Sequence, residues 1–277
     1  MARCLFRKGK PLRYIDFHTH IFPDKLAEKA IDVLSMGGGG FRGYTDGTLN
    51  GLINSMNEAG IEKSAVLNIA TNPKQQRAVN DFAAEINGDR VVSFGSVHPD
   101  APDALDEIDR ICDLGLMGVK FHLECQDFEY DHPALKKIYE KIAKKGLIVC
   151  FHCGWDMSTS YCRMTPDNLI KTLPMLEGAT VIAAHLGAYA MWPEVLDKLC
   201  GKDVYFDTAF SCGRIPLKLG TEIVKRHGVD RILLGSDLPW ASQKDEIRFV
   251  SLMDLTDDEK EKIYHGNADR LIKEHSV

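Results

Sequence analysis

Short apolar, β-branched runs alternate along the chain with longer stretches whose apolar residues recur at helical spacing. The runs occupy residues 14–18, 64–70, 91–97, 117–122, 147–152, 180–185, 203–207 and 231–237. Amphipathic stretches at 101–112, 133–145, 193–200 and 217–227 are clear examples of what lies between them. Such alternation implies parallel strands joined by crossover helices, because parallel neighbours need a long connection. Glycine stands shortly before many of the strands (Gly60, Gly115, Gly146, Gly178, Gly201, Gly228), where a helix would end in a left-handed cap. No G-x-G-x-x-G follows the first strand, so eight repeats predict an α/β fold closed into a single (β/α)8 TIM-like barrel, not an open doubly wound sheet. Thr256–Glu259 has the form of a capping box opening a late helix.

The length of 277 residues fits one such barrel, so residues 1–277 are read as a single domain. A composition of 44% hydrophobic and 27% charged residues is that of a globular protein able to bury a core. The net charge of -6 argues against nucleic acid as a partner, and the basic stretch Arg3, Arg7, Lys8, Lys10, Arg13 reads as a solvated tail. No apolar run is long enough for a membrane helix, and the N-terminus lacks the apolar core of a secretory signal, which leads to a cytoplasmic expectation. The eight cysteines are expected to be reduced. Cys150 and Cys153 have C-x-x-C spacing, but a strand would turn them to opposite faces.

Ionisable residues gather at the carboxyl ends of the predicted strands, where barrel enzymes build their sites. His18 and His20 end the first, Lys120 and His122 the fourth, His152 the fifth, His185 the sixth, Asp207 the seventh and Asp237 the eighth. With a period of two, Asp16, His18 and His20 share one face of the first strand and Ile15 and Phe17 the other. If the apolar pair faces the helices, both histidines enter the barrel mouth. The same phase sends Leu233, Gly235 and Asp237 inward on the eighth strand and Ile148, Cys150 and His152 inward on the fifth. His18, His20, His152 and Asp237 then converge as a ligand set for one divalent ion, zinc first and manganese as the alternative, with a position left for water. His185 would stand beside that water. Two long loops at the same end, 21–44 with its glycine run 37–40 and 154–166, offer a flap and a wall.

Asp16-Phe17-His18-Thr19-His20, Phe151-His152, Ala184-His185-Leu186-Gly187, Gly235-Ser236-Asp237-Leu238-Pro239-Trp240 and Gly266-Asn267-Ala268-Asp269-Arg270-Leu271 together resemble the amidohydrolase-related group of the amidohydrolase superfamily. That group includes aminocarboxymuconate-semialdehyde decarboxylase and many hydrolases, and the resemblance runs from the first strand to the last helix. It implies the same four metal ligands and gives His185 the acid/base role. In two-metal branches of the superfamily a fourth-strand lysine is carboxylated and bridges the ions. Lys120, with His122 and Glu124 in its phase, is therefore a candidate for a second metal or for a substrate contact.

The expected activity is that of a metal-dependent hydrolase. Metal-activated water attacks an amide, ester or lactone carbonyl, with Asp237 or His185 moving the proton. The alternative is a metal-dependent non-oxidative decarboxylase of a small carboxylic acid, which would use Arg42, Lys120 and Arg163 as cations for the acid. A barrel that binds without turnover is the third reading. Trp155 and Trp240 follow ligand-bearing strand ends and are candidate pocket walls. The substrate is expected to be a small molecule, and apolar segments on the outer helices would permit a homodimer.

Overall fold

The computed structural model describes residues 6–7, 10–37, 40 and 42–275. Arg3 and Lys8 of the basic stretch, Cys4, and Gly38 and Gly39 of the glycine run lie outside the described residues. A two-stranded hairpin, Phe6–Arg7 against Lys10–Pro11, precedes the main sheet.

The eight runs of the sequence become eight parallel strands: β1 Ile15–Thr19, β2 Lys63–Leu67, β3 Val91–Gly95, β4 Gly118–Phe121, β5 Ile148–Phe151, β6 Val181–Ala183, β7 Tyr205–Asp207 and β8 Ile232–Leu233. Each pairs with the next in chain order. Hydrogen bonds from Phe17 N to Leu234 O (2.7 Å) and from Asp237 N to His18 O (2.7 Å) join the first strand to the last. The result is a (β/α)8 barrel. Helices return the chain between strands, among them Gln76–Ile86, Ala104–Asp113, Leu135–Lys144 and Leu217–His227. All six glycines placed before strands have positive φ, between 67° and 103°; Gly60 is a left-handed cap, whereas Gly228, with ψ of 118°, departs from that geometry. Thr256 and Glu259 form the capping box. No described helix is long and apolar enough to cross a membrane.

Three apolar clusters hold the barrel, the smallest of them, with Leu52, Met56 and Val66, beneath the helix Leu49–Ala59. Ile148, Cys150, Ile182 and Leu233 fill the interior with Phe94 and Leu67, closed below by Ala268 and Leu271 of the last helix, Asn267–His275. The alternate residues Val149, Phe151, Val181, Ala183 and Leu234 pack outward against the helices. Cys150 and Cys153 fall in different clusters, as their spacing predicts.

The first strand departs from simple alternation. Its pairing with β2 slips between Asp16 and Thr19, so three steps on β1 match two on β2. Such a bulge reverses the side-chain phase. Ile15 and Phe17 therefore pack inside the barrel, not against the helices, and Asp16 turns away to Ser236 Oγ (2.5 Å) and Gln243 Nε2 (2.8 Å). His18 still reaches the mouth because it lies past the slip. Several strands also end earlier than the apolar runs. His185 and Asp237 have φ of 63° and 71°, a left-handed backbone that no strand accommodates.

Candidate metal centre

His18 and His20 emerge where β1 reaches the mouth of the barrel. His18 Nδ1 lies 2.8 Å from Asp207 Oδ2, and His20 Nδ1 lies 2.8 Å from the carbonyl oxygen of Leu67. Carboxylate and carbonyl only accept, so each neutral imidazole keeps its proton on Nδ1 and presents a bare Nε2. The two Nε2 atoms are 3.2 Å apart. Asp237 Oδ1 lies 3.5 Å from the first and 3.2 Å from the second. Three lone-pair acceptors thus converge with no donor among them, an arrangement suited to a divalent cation.

Protonation agrees with this geometry. Burial pushes His18 down to about 4, keeping it neutral. At Asp237, burial opposes ionisation but is outweighed by positive charge or a donated proton from His20, His18 and His185, which holds the carboxyl at about 2 and is the role a cation would take when those imidazoles are neutral. Asp207 is likewise held at about 2, burial being outweighed by His18 and by its bonds from His18 and His185. Its second oxygen accepts from His185 N (2.9 Å) and Ala209 N (3.1 Å).

His152 and His185 form the neighbouring pair. His185 Nδ1 lies 3.1 Å from the Ala209 carbonyl, which fixes its proton there, and its Nε2 accepts from His152 Nδ1 at 3.0 Å. His152 Nε2 is then a bare acceptor, buried and without a hydrogen-bond partner. Such an orphan is costly unless a cation or water meets it. Its ring stacks on His122, centroids 4.0 Å apart and planes at 8°, so His152 groups with His122 and Asp156 and not with His18, His20 and Asp237. Of the four expected ligands, the structure brings three into one cluster and places the fourth in the neighbouring group. Burial lowers both His152 and His185, which are neutral.

The remaining candidates sort by what they touch. His122 lines the cavity with Nε2 3.2 Å from Asp156 Oδ2 and Nδ1 3.5 Å from Glu124 Oε2. Burial works against its charge, yet Cys125, Asp156 and Glu124 outweigh burial and raise it well above the ordinary histidine value. Glu124 lies on a short helix, Leu123–Gln126, and not in strand phase with Lys120; one oxygen accepts from Arg163 N at 2.6 Å. Lys120 is fully buried inside the barrel, its Nζ 3.8 Å from Cys150 Sγ, and does not line the cavity. Arg163 is tied to Asp127 (2.8 Å), Glu129 (2.9 Å) and the Leu123 carbonyl. Arg42 is exposed, and neither arginine lines the cavity. The expected cationic grip by Arg42, Lys120 and Arg163 is therefore corrected, because local carboxylates hold Arg163 and the barrel wall encloses Lys120. Trp155 and Trp240 do line the cavity. Asp156, in the loop after β5, and the orienting role of Asp207 were missed. An acid ending a strand between the ones that lead to His185 and to Asp237 was the available signal for Asp207.

These side chains open into a cavity of about 560 Å³ whose further walls are largely apolar, including Phe22, Leu67, Tyr189 and Phe210. A volume of this order suits a small organic ligand. The amidohydrolase family model matches residues 15–273. No curated protein matches the sequence significantly. Among solved structures, 2,6-dihydroxybenzoate decarboxylase complexed with 2,6-dihydroxybenzoate superposes with a TM-score of 0.74 at 16% identity, covering 95% of this chain and 99% of that one. For 5-carboxyvanillate decarboxylase from Sphingomonas paucimobilis the TM-score is 0.73 at 16% identity, with 95% and 99% covered. For a dihydroxybenzoic acid decarboxylase from Polaromonas sp. with bound manganese and the inhibitor 2-nitroresorcinol it is 0.69 at 15% identity, with 95% and 97% covered. At these identities the likeness is one of fold. The hydrolase expectation is nonetheless corrected: these neighbours are decarboxylases, which favours the alternative offered by the sequence. Among the described residues, His18, His20 and Asp237, and separately His122, His152 and Asp156, are placed so that each group could hold a metal ion.

Proposed function

The chain belongs to the amidohydrolase family, and from that premise we propose that it is a metal-dependent, non-oxidative decarboxylase of a carboxylic acid. The observation that carries this reading is the set of bare acceptors, His18, His20, Asp237 and His152, turned into an apolar cavity on a fold shared with decarboxylases. His18, His20 and Asp237 would hold one ion, zinc or manganese, with His152 Nε2 as the fourth donor. When bound, the ion supplies positive charge that holds substrate oxygens and draws electron density from the bond being broken.

The chain's own residues supply the rest. Loss of carbon dioxide leaves the electron pair of the broken C–C bond on carbon, and that carbon must take up one proton. His185 is the proton carrier: its Nε2, which in the resting site accepts from His152 Nδ1, would take one proton from solvent once that hydrogen bond is released, and would pass it to the vacated carbon. Ala209 fixes the ring through Nδ1, so the carrier does not swing away. The walls help as well. A localised carboxylate is better solvated by water than is the spread charge of the transition state, so the apolar lining around Trp155, Phe210 and Trp240 favours carbon dioxide loss. His122, with its raised protonation, adds positive charge to the wall, its ring nitrogens being taken by Asp156 and Glu124. Seven described cysteines are all free thiols, which supports work in the reducing cytoplasm.

The test is carbon dioxide release by the zinc- or manganese-loaded protein on a panel of hydroxybenzoates and other unsaturated acids, run in D2O. Release with one deuterium on the vacated carbon, lost in His185→Asn while metal content persists, is the expected result. A fully loaded protein that releases nothing across the panel would overturn the reaction.

A further inference from the structure

The cavity continues well beyond the histidines. Leu26, Ala30 and Leu34 line it at four-residue spacing along the helix Asp24–Gly37, so they form one stripe. Ala78, Val79 and Phe82 of the helix Gln76–Ile86 line it too. An amphipathic helix ordinarily buries its stripe against its own protein. Here only Ala27 of the first helix is buried, while Leu26 and Leu34 remain 56% and 39% exposed. The stripe faces open space that is continuous with His18, His20 and Asp237. No lysine or arginine among the described residues lines that space.

We infer that the substrate is an amphiphile, whose carboxyl end sits at His18, His20 and Asp237 while an apolar chain or extended ring system lies along the two helices. This inference rests on the functional reading above for its acidic head group, and the tail is what it adds. One continuous cavity of about 560 Å³ joins the acceptor cluster to the stripe, so a single ligand occupies both. A bare one-ring acid would leave the stripe wet. Each tail methylene buried there strengthens binding by about fourfold.

The experiment measures dissociation constants of benzoate, 4-ethylbenzoate and 4-butylbenzoate with the zinc-loaded full chain by calorimetry. Affinity is expected to climb on the order of 100-fold from benzoate to 4-butylbenzoate. Ala30→Phe and Ala78→Phe, which fill the channel from either helix, are expected to bring that ratio toward one. A flat series on the unmodified protein overturns the inference, and that arm needs no variant to fold. So does a ratio untouched by both variants, or 4-butylbenzyl alcohol binding as tightly as the acid, which would separate the channel from the head-group site. Concentration-dependent dimerisation that hides the stripe and abolishes tail preference would overturn it in favour of a second copy of the chain. If the tail preference holds and no acid loses carbon dioxide, the reaction fails and this inference stands.

Discussion

Asp207→Asn is the sharpest perturbation of the proposed centre, because it keeps shape and removes only the carboxylate's ability to accept on both oxygens. In the native arrangement one oxygen accepts from His18 Nδ1 at 2.8 Å and the other from His185 N and Ala209 N at 2.9 and 3.1 Å. An asparagine has two orientations there. With its NH2 toward His18, two donors meet unless the histidine moves its proton to Nε2, and the lone pair needed by the metal is lost. With its oxygen toward His18, the NH2 confronts two backbone N–H groups, each of which loses a hydrogen bond worth about 1 kcal/mol. Either way the variant loses about 1–3 kcal/mol at the site, equivalent to metal binding weakened roughly 10- to 100-fold. Competition for zinc against a chromophoric chelator at neutral pH reads this directly, with circular dichroism as the control for folding. An unchanged zinc affinity in a folded variant would refute the claim that Asp207 fixes the His18 tautomer. A loss as deep as that of His18→Ala would refute it from the other side, since it would mean that the ligand itself had gone.

His185→Asn should retain metal within about tenfold while turnover falls by 100-fold or more, as expected for loss of a proton carrier; elemental analysis beside the rate separates the two effects. His227, far from the site, donates its Nε2 proton to Val204 O at 2.7 Å and stacks on Phe206. Burial lowers it to about 4 from the ordinary value of 6.5, so between those limits the unfolded chain binds more protons and stability rises with pH, by about 3 kcal/mol in all. Urea midpoints from pH 4 to 7 should rise with pH, and His227→Gln should lessen that slope, leaving the part due to His18, His152 and His185. Arg163→Ala should lower stability by about 1–3 kcal/mol through its lost contacts with Asp127, Glu129 and Leu123, yet leave KM for the acid within about twofold. A large rise in KM would restore the arginine to substrate binding.

The barrel was legible because its strands obey local rules. Apolar runs of the right length, helical periodicity between them and glycines at left-handed caps such as Gly60 and Gly146 each point to the same fold. Alternation was less reliable as a guide to direction. Counting by twos from Ile15 assumes an unbroken ladder, and the slip between Asp16 and Thr19 reverses the phase. The histidine pair faced the mouth as expected, but Asp16 did not share its face. Strand ends were also overrun, since nothing in the residue types of His185 or Asp237 announces a left-handed backbone. Arg163 shows a different limit. Its positive charge was visible, whereas the carboxylates that neutralise it, Asp127 and Glu129, come from the connection after β4 and meet it only in three dimensions.

That difference bears on why the reaction was harder to read than the metal. Hydrolysis and decarboxylation ask the same things of His18, His20 and Asp237, and the sequence motifs consist of those shared parts. What separates the reactions is the wall: whether the site admits and orients water, or strips water from a carboxylate. Here the wall is assembled from the helix Asp24–Gly37, the helix Gln76–Ile86 and the loop bearing Trp155 and Asp156, segments far apart in the chain and individually ordinary. The strained backbone at His185 and Asp237, costing on the order of 1–3 kcal/mol each, lies on the opposite, barrel-borne side of this division. Strain is tolerated where strands and hydrogen bonds over-determine position, and Asp207 and the closing bond from Asp237 N to His18 O do that here. On the proposed reading, the barrel fixes where charge and protons sit, and the apolar helices beyond it would select which acid is brought to them.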